Sequence, residues 1–99
     1  MEITNLISVQ QFCTHYKVPV SFITQLHELE LIEIIDTQEN LCIPKTQIKE
    51  VERMIRLHYD LEINLEGVDV IYNLLKQIET LQEQNVILNN KLNFYKNLY

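Results

Sequence analysis

At 99 residues, 46% hydrophobic, with one glycine and two prolines, the chain is too apolar for a disordered protein and too poor in turn formers for a sandwich or barrel. Fourteen acids against eight lysines and arginines give a formal net charge of −6, the wrong sign for a protein that neutralises phosphates. A chain of this size buries only about two-thirds of its unfolded surface, so any long exposed apolar stripe points to a contact surface.

The N-terminal MEITNLISVQQF lacks a basic segment followed by an apolar one, and no apolar run nears the roughly 18 residues of a membrane span. A cytoplasmic protein is therefore expected. Ser8 followed by Gln11 makes a capping box, and Val9, Phe12, Cys13 and Tyr16 then predict a short amphipathic helix. Val18-Pro19-Val20 interrupts it. Ser21 is the expected cap of a second helix running through Phe22, Leu26 and Leu29.

Leu31 to Ile35 is rich in β-branched residues, Asp36 to Asn40 is turn-like, and Leu41-Cys42-Ile43 is apolar again, which predicts a small β-hairpin wing. Cys13 and Cys42 show no C-x-x-C spacing and read as reduced, packed thiols rather than metal ligands. From Pro44 the period turns helical: Ile48, Val51, Ile55 and His58 share one stripe, Met54 and Leu61 lie beside it, and Glu52 and Arg56 form an i,i+4 pair on the outer side. This third helix is expected to run to about Leu61.

The chain then restarts. Asn64 is a strong N-cap, Glu66 lies in the first turn where the helix dipole favours an acid, and Gly67 falls in that same turn. A glycine there weakens a helix by about 1 kcal/mol, so a close approach by the preceding segment is the expected reason for it. From Ile71 a seven-residue repeat sets in. Ile71, Ile78, Asn85, Leu92 and Tyr99 occupy one seam position and Leu74, Leu81, Leu88 and Tyr95 the other, a coiled-coil pattern. Residues 65–99 span roughly 50 Å as a helix. A second copy of the chain is the simplest cover for the seam; the other is the chain's own domain. The expected organisation is a single domain over residues 1–99, with 1–63 forming the helix-turn-helix, wing and third helix, and 64–99 the long, dimerising C-terminal helix.

No catalytic constellation emerges. His15, His27 and His58 have no nucleophile at a workable spacing, Glu28 and Glu30 fall on different faces of a helix end, and a small helical core leaves little room for a water-excluding pocket. An enzyme is not expected, nor a cofactor.

The order helix, turn, helix, wing and third helix, ending in Arg56-Leu57-His58-Tyr59-Asp60-Leu61-Glu62-Ile63-Asn64-Leu65-Glu66-Gly67-Val68, resembles the MerR-type winged helix-turn-helix. More narrowly, RLHYDLEINLEGVDVIYNLLKQIETLQEQN resembles the chaperone-modulator CbpM family, and the likeness extends from about Ile7 to Leu92. The resemblance implies a mostly α, MerR-like fold without an effector domain. It also implies an adaptor that binds the J-domain of a CbpA-type, DnaJ-like co-chaperone and restrains its work with DnaK and its DNA binding. MerR-type proteins dimerise through antiparallel long helices.

The alternative is a MerR-like DNA-binding transcriptional regulator, and the charges speak against it. Residues 1–43 hold six acids (Glu2, Glu28, Glu30, Glu33, Asp36, Glu39) and one base, Lys17. The second helix, SFITQLHELE, has neither Lys nor Arg, and Thr24, Gln25 and His27 are a thin set for reading bases. Lys45, Lys49, Arg53 and Arg56 gather on the third helix but are nearly neutralised by Glu50, Glu52 and Asp60. The acids Glu28, Glu30, Glu33, Asp36 and Glu39 suit a basic protein surface such as the second helix of a J-domain. The surface around Arg53, Arg56 and Tyr59 is the alternative partner site.

Overall fold

The computed structural model describes residues 5–98. Chain order is β1 (Leu6–Ser8), α1 (Val9–Tyr16), α2 (Val20–Glu28), β2 (Ile35–Asp36), β3 (Leu41–Pro44), a 3₁₀ turn (Lys45–Gln47), α3 (Ile48–Ile55), a π-helical turn (Arg56–Asp60) and α4 (Leu65–Leu98). The chain divides into two compact units, one reaching to Asp69 and the other starting at Val70.

The first unit begins with an unexpected strand. β1 pairs antiparallel with β3, Ile7 opposite Ile43, and β2 pairs with the other edge of β3, Ile35 opposite Cys42. The sheet therefore has three strands in the order β1-β3-β2. The expected wing is present but shorter than read: Leu31 and Ile32 do not belong to a strand and are buried core residues. Thr37 and Asn40 close the hairpin tip, with the Thr37 hydroxyl donating to the Asn40 carbonyl at 2.8 Å and accepting from the Asn40 N–H at 3.0 Å.

The first helix forms where its cap and period place it. The Gln11 N–H donates to Ser8 Oγ at 3.0 Å, starting α1, and Val9, Phe12 and Cys13 are buried on one face. At α2 the expected cap is corrected. Pro19 is the N-cap and supplies no side-chain bond, while Ser21 lies inside the helix. Proline's fixed φ suits that entry, and its carbonyl accepts from the Phe22 N–H at 3.1 Å.

Both short helices end on a charged residue in the left-handed region, Lys17 (φ 59°) and Glu30 (φ 62°). After Lys17, the Val18 N–H reaches back to the Cys13 carbonyl; after Glu30, the Leu31 N–H reaches the Leu26 carbonyl. These are Schellman-type closures, and buried Val18 and Leu31 supply their hydrophobic contact. The core of this unit joins Phe12, Phe22, Ile23, Leu26, Ile43, Val51, Met54 and Val68, all nearly free of solvent contact.

The third helix departs from the sequence reading in two ways. It opens with the 3₁₀ turn, and after Ile55 it widens into the π-helical turn instead of continuing as an α-helix to Leu61. The Leu61 N–H bonds to the Arg56 carbonyl, Glu62 adopts φ 57°, and the Ile63 N–H returns to the Leu57 carbonyl. Leu61 is thereby turned out to 64% exposure instead of continuing the apolar stripe. The second difference concerns Glu52. It is half-buried and accepts a hydrogen bond from the Tyr16 hydroxyl of α1, so it faces the neighbouring helix and not the outer side.

The second unit is the body of α4. Within it Lys76 Nζ lies 5.0 Å from the centroid of the Tyr72 ring. Among the described residues no helix is long and apolar enough to cross a membrane.

Candidate functional site

Between the π-helical turn and α4 the backbone is held by side chains from both sides of the break. Asn64 caps α4: its Oδ1 accepts from the Gly67 N–H at 2.8 Å. His58 Nδ1 lies 2.8 Å from the Ile63 carbonyl, and because a carbonyl only accepts, Nδ1 carries the proton. The His58 ring stacks on Phe22 of α2 at 5.3 Å between centroids, and the Tyr59 ring leans on the same Phe22 at 5.3 Å. Consecutive residues of the π-helical turn thus clamp one core aromatic, which fixes α2 to the start of α4 within the first unit. Gly67 meets the expectation of a close approach: a β-carbon there would lie 2.6 Å from Ile63 Cγ2 and 3.1 Å from Asn64 Oδ1.

Tyr16 and Glu52 form the second polar link, between α1 and α3. The hydrogen bond to Glu52 raises the Tyr16 pKa above its ordinary value, helped by burial and by the carboxylate's charge. Nothing local announces this pair, whose members are 36 residues apart. Both cysteines are buried and unbridged, and burial pushes the Cys13 thiol up. Among the described residues no group of three or more His, Cys, Asp or Glu is placed to hold a metal ion.

Glu28, Glu30, Glu33, Asp36 and Glu39 are all exposed. Glu28 ends α2, Glu30 is its left-handed closing residue, Asp36 lies in β2 and Glu39 at the hairpin tip. Glu33 is tied by its backbone, whose N–H donates to Gln47 Oε1 at 2.9 Å. Arg53 is exposed on α3 and Arg56 on the π-helical turn, while Tyr59 keeps 44% exposure above Phe22. The exposed positions of α2 are Val20, Ser21, Thr24, Gln25, His27 and Glu28, so this face of the helix-turn-helix bears no permanent cation.

Along α4, Ile71 is half-buried, and the seam beyond it is open in the single chain. Leu74, Ile78, Leu81, Leu88, Leu92 and Tyr95 are 48–62% exposed. Asn85 is exposed among them, and Tyr99 lies outside the described residues. Ile78, Leu81, Asn85 and Leu88 line one shallow groove with Gln82 and Gln84. The repeat read from the sequence is thus one continuous helical stripe. What that reading missed is a second set of exposed apolar residues on the same helix, Val86, Ile87 and Phe94, off the seam. Their signal was present in the heptad, at positions that a two-stranded coil leaves polar.

Residues 7–90 match the family described as MerR HTH family regulatory protein, which is most of the chain, and the protein belongs to that family. Comparisons with curated proteins and with solved structures gave no match.

Proposed function

We propose that this protein is a non-catalytic cytoplasmic adaptor that binds the J-domain of a CbpA- or DnaJ-like co-chaperone and inhibits it. The single observation that carries the reading is the missing positive charge on α2 and the hairpin. A DNA reader places Lys and Arg on its recognition helix and wing to neutralise phosphates and grip base edges. Here α2 exposes Val20, Ser21, Thr24, Gln25, His27 and Glu28, and the hairpin exposes Asp36 and Glu39. Such a face repels a duplex and attracts a basic helix, and the narrower resemblance to chaperone modulators supports the same partner.

The test uses the purified full chain and the J-domain of a DnaJ-like co-chaperone. Binding is expected at low salt. The combined change Glu30→Lys and Glu33→Lys is expected to slow association and reverse its salt dependence, because exposed charges act mainly on the on-rate. Binding that this variant leaves untouched moves the site to Arg53, Arg56 and Tyr59. Absence of J-domain binding, together with selective retardation of a duplex whose affinity falls steeply with salt, makes the protein a DNA-binding regulator instead.

The adaptor acts as a homodimer in this reading. The positions flanking the seam are Val70, Gln77, Gln84 and Lys91 on one side and Leu75, Gln82, Asn89 and Lys96 on the other. Parallel pairing would set Lys91 against Lys96 of the partner subunit on both edges, two like-charge contacts. Antiparallel pairing with Leu81 opposite Asn85 of the partner subunit sets both lysines near uncharged residues. It also matches Ile78 with Leu88, Leu74 with Leu92 and Ile71 with Tyr95 over the whole seam.

A further inference from the structure

We propose that the outer face of α4 around Val86 and Ile87 is a docking surface for an amphipathic helix of another protein that carries Lys or Arg beside its apolar stripe. In the heptad that begins at Ile71, Val86, Ile87 and Phe94 fall at the positions facing away from the seam, where a two-stranded coil is normally polar. They are 57%, 54% and 61% exposed in the single chain, and a seam of the a and d type does not itself cover these positions. Solubility argues against three large apolar side chains there unless something covers them.

The chemistry of the cover is read from the rim. Glu79 and Glu83 stand with Gln82, Val86 and Ile87 around one shallow groove. Glu83 lies three and four residues before Val86 and Ile87, one helical turn away, and Glu79 lies one turn before Glu83. An apolar ledge with carboxylates along one side complements a helix whose apolar residues recur at i and i+3 or i+4, with cations beside them. Lys91 lies one turn beyond Ile87, and Lys76, which lies over the Tyr72 ring, one turn before Glu79, so the acidic stretch of the groove is confined to Glu79 and Glu83. This docking does not depend on the winged face or on its partner.

The probe is a synthetic Leu/Lys helix of about five turns. Its control is a peptide of the same composition, scrambled to remove the apolar face. Amide chemical shifts of the full-length protein are expected to move between Glu79 and Phe94 with the amphipathic peptide. The scrambled one should bind at least about tenfold more weakly. The combined change Val86→Ser and Ile87→Ser is expected to lower affinity about tenfold or more with far-UV circular dichroism unchanged. Glu79→Gln with Glu83→Gln should weaken binding and flatten its salt dependence. Equal binding of both peptides, or shifts confined to residues 28–39, overturns the proposal. So does a change in sedimentation of the serine variant without peptide, which would make this face a contact between copies. J-domain binding read through Glu30 and Glu33 is unaffected by any of these outcomes, so the two proposals fail separately.

Discussion

A β-carbon at Gly67 would lie 2.6 Å from Ile63 Cγ2, so the last residue before the cap and the third residue of α4 share space that admits no side chain. The methyl involved sits directly on the Ile63 β-carbon and cannot swing away without a rotamer change or a backbone shift.

Gly67→Ala is therefore expected to destabilise the protein by about 1–3 kcal/mol, even though alanine is the better helix former by about 1 kcal/mol. Ile63→Ala removes the obstructing methyl. In the double variant the helix propensity should return, so that its melting temperature lies well above the sum of the two single effects. Simple additivity in thermal denaturation would show that the contact does not constrain this turn.

Three charged residues occupy the left-handed region at helix ends, Lys17, Glu30 and Glu62, each at a cost of roughly 1–2 kcal/mol that glycine avoids. Lys17→Gly and Glu62→Gly are each expected to raise stability by about 0.5–1 kcal/mol after the extra freedom of glycine in the unfolded chain is counted. β-Branched Val at the same positions should lower it. Chemical denaturation of the four variants checks the order, and a glycine variant less stable than the parent would contradict it.

The Tyr16 hydroxyl bonded to Glu52 makes a pH-dependent contribution. Because the folded pKa of Tyr16 is raised, folding favours its protonated form; that stability is fully present below the ordinary tyrosine value of about 10 and is lost as pH rises through the higher folded value. Tyr16→Phe is expected to cost about 1 kcal/mol at neutral pH. Four tyrosines remain in the variant, so the readout is the difference between the two stability curves, which should narrow above pH ~10. A difference that stays constant through that range would remove Tyr16 as its source.

Leu81 and Asn85 test the seam. In the proposed homodimer Leu81→Lys places a charge in the seam and is expected to shift the protein towards monomer. Asn85→Leu should raise stability and relax the choice of assembly, since a lone polar residue in a seam fixes register at a cost. Sedimentation at micromolar concentration distinguishes the variants. If the parent is itself a monomer and both variants sediment like it, the homodimer is wrong.

The features legible in the sequence are those decided within one helical turn. Ser8 and Asn64 bond N–H groups three residues away, Gly67 is crowded by a residue four positions back, and the seam is a repeat of three and four. The missing cations of α2 are equally a property of composition. Ser21 shows the limit of local reasoning, because Pro19 already fixes a backbone that starts the helix two residues earlier, and the better capping side chain is left inside it. The tertiary structure alone decided the rest. The strand Leu6–Ser8 exists because β3 offers it an edge, and three residues carry no pattern of their own. Tyr16 finds Glu52, and the π-helical turn lays His58 and Tyr59 on Phe22, because packing α1, α2 and α3 around one core brings distant side chains together. Such pairings depend on how the whole chain closes, and no periodicity along it records them.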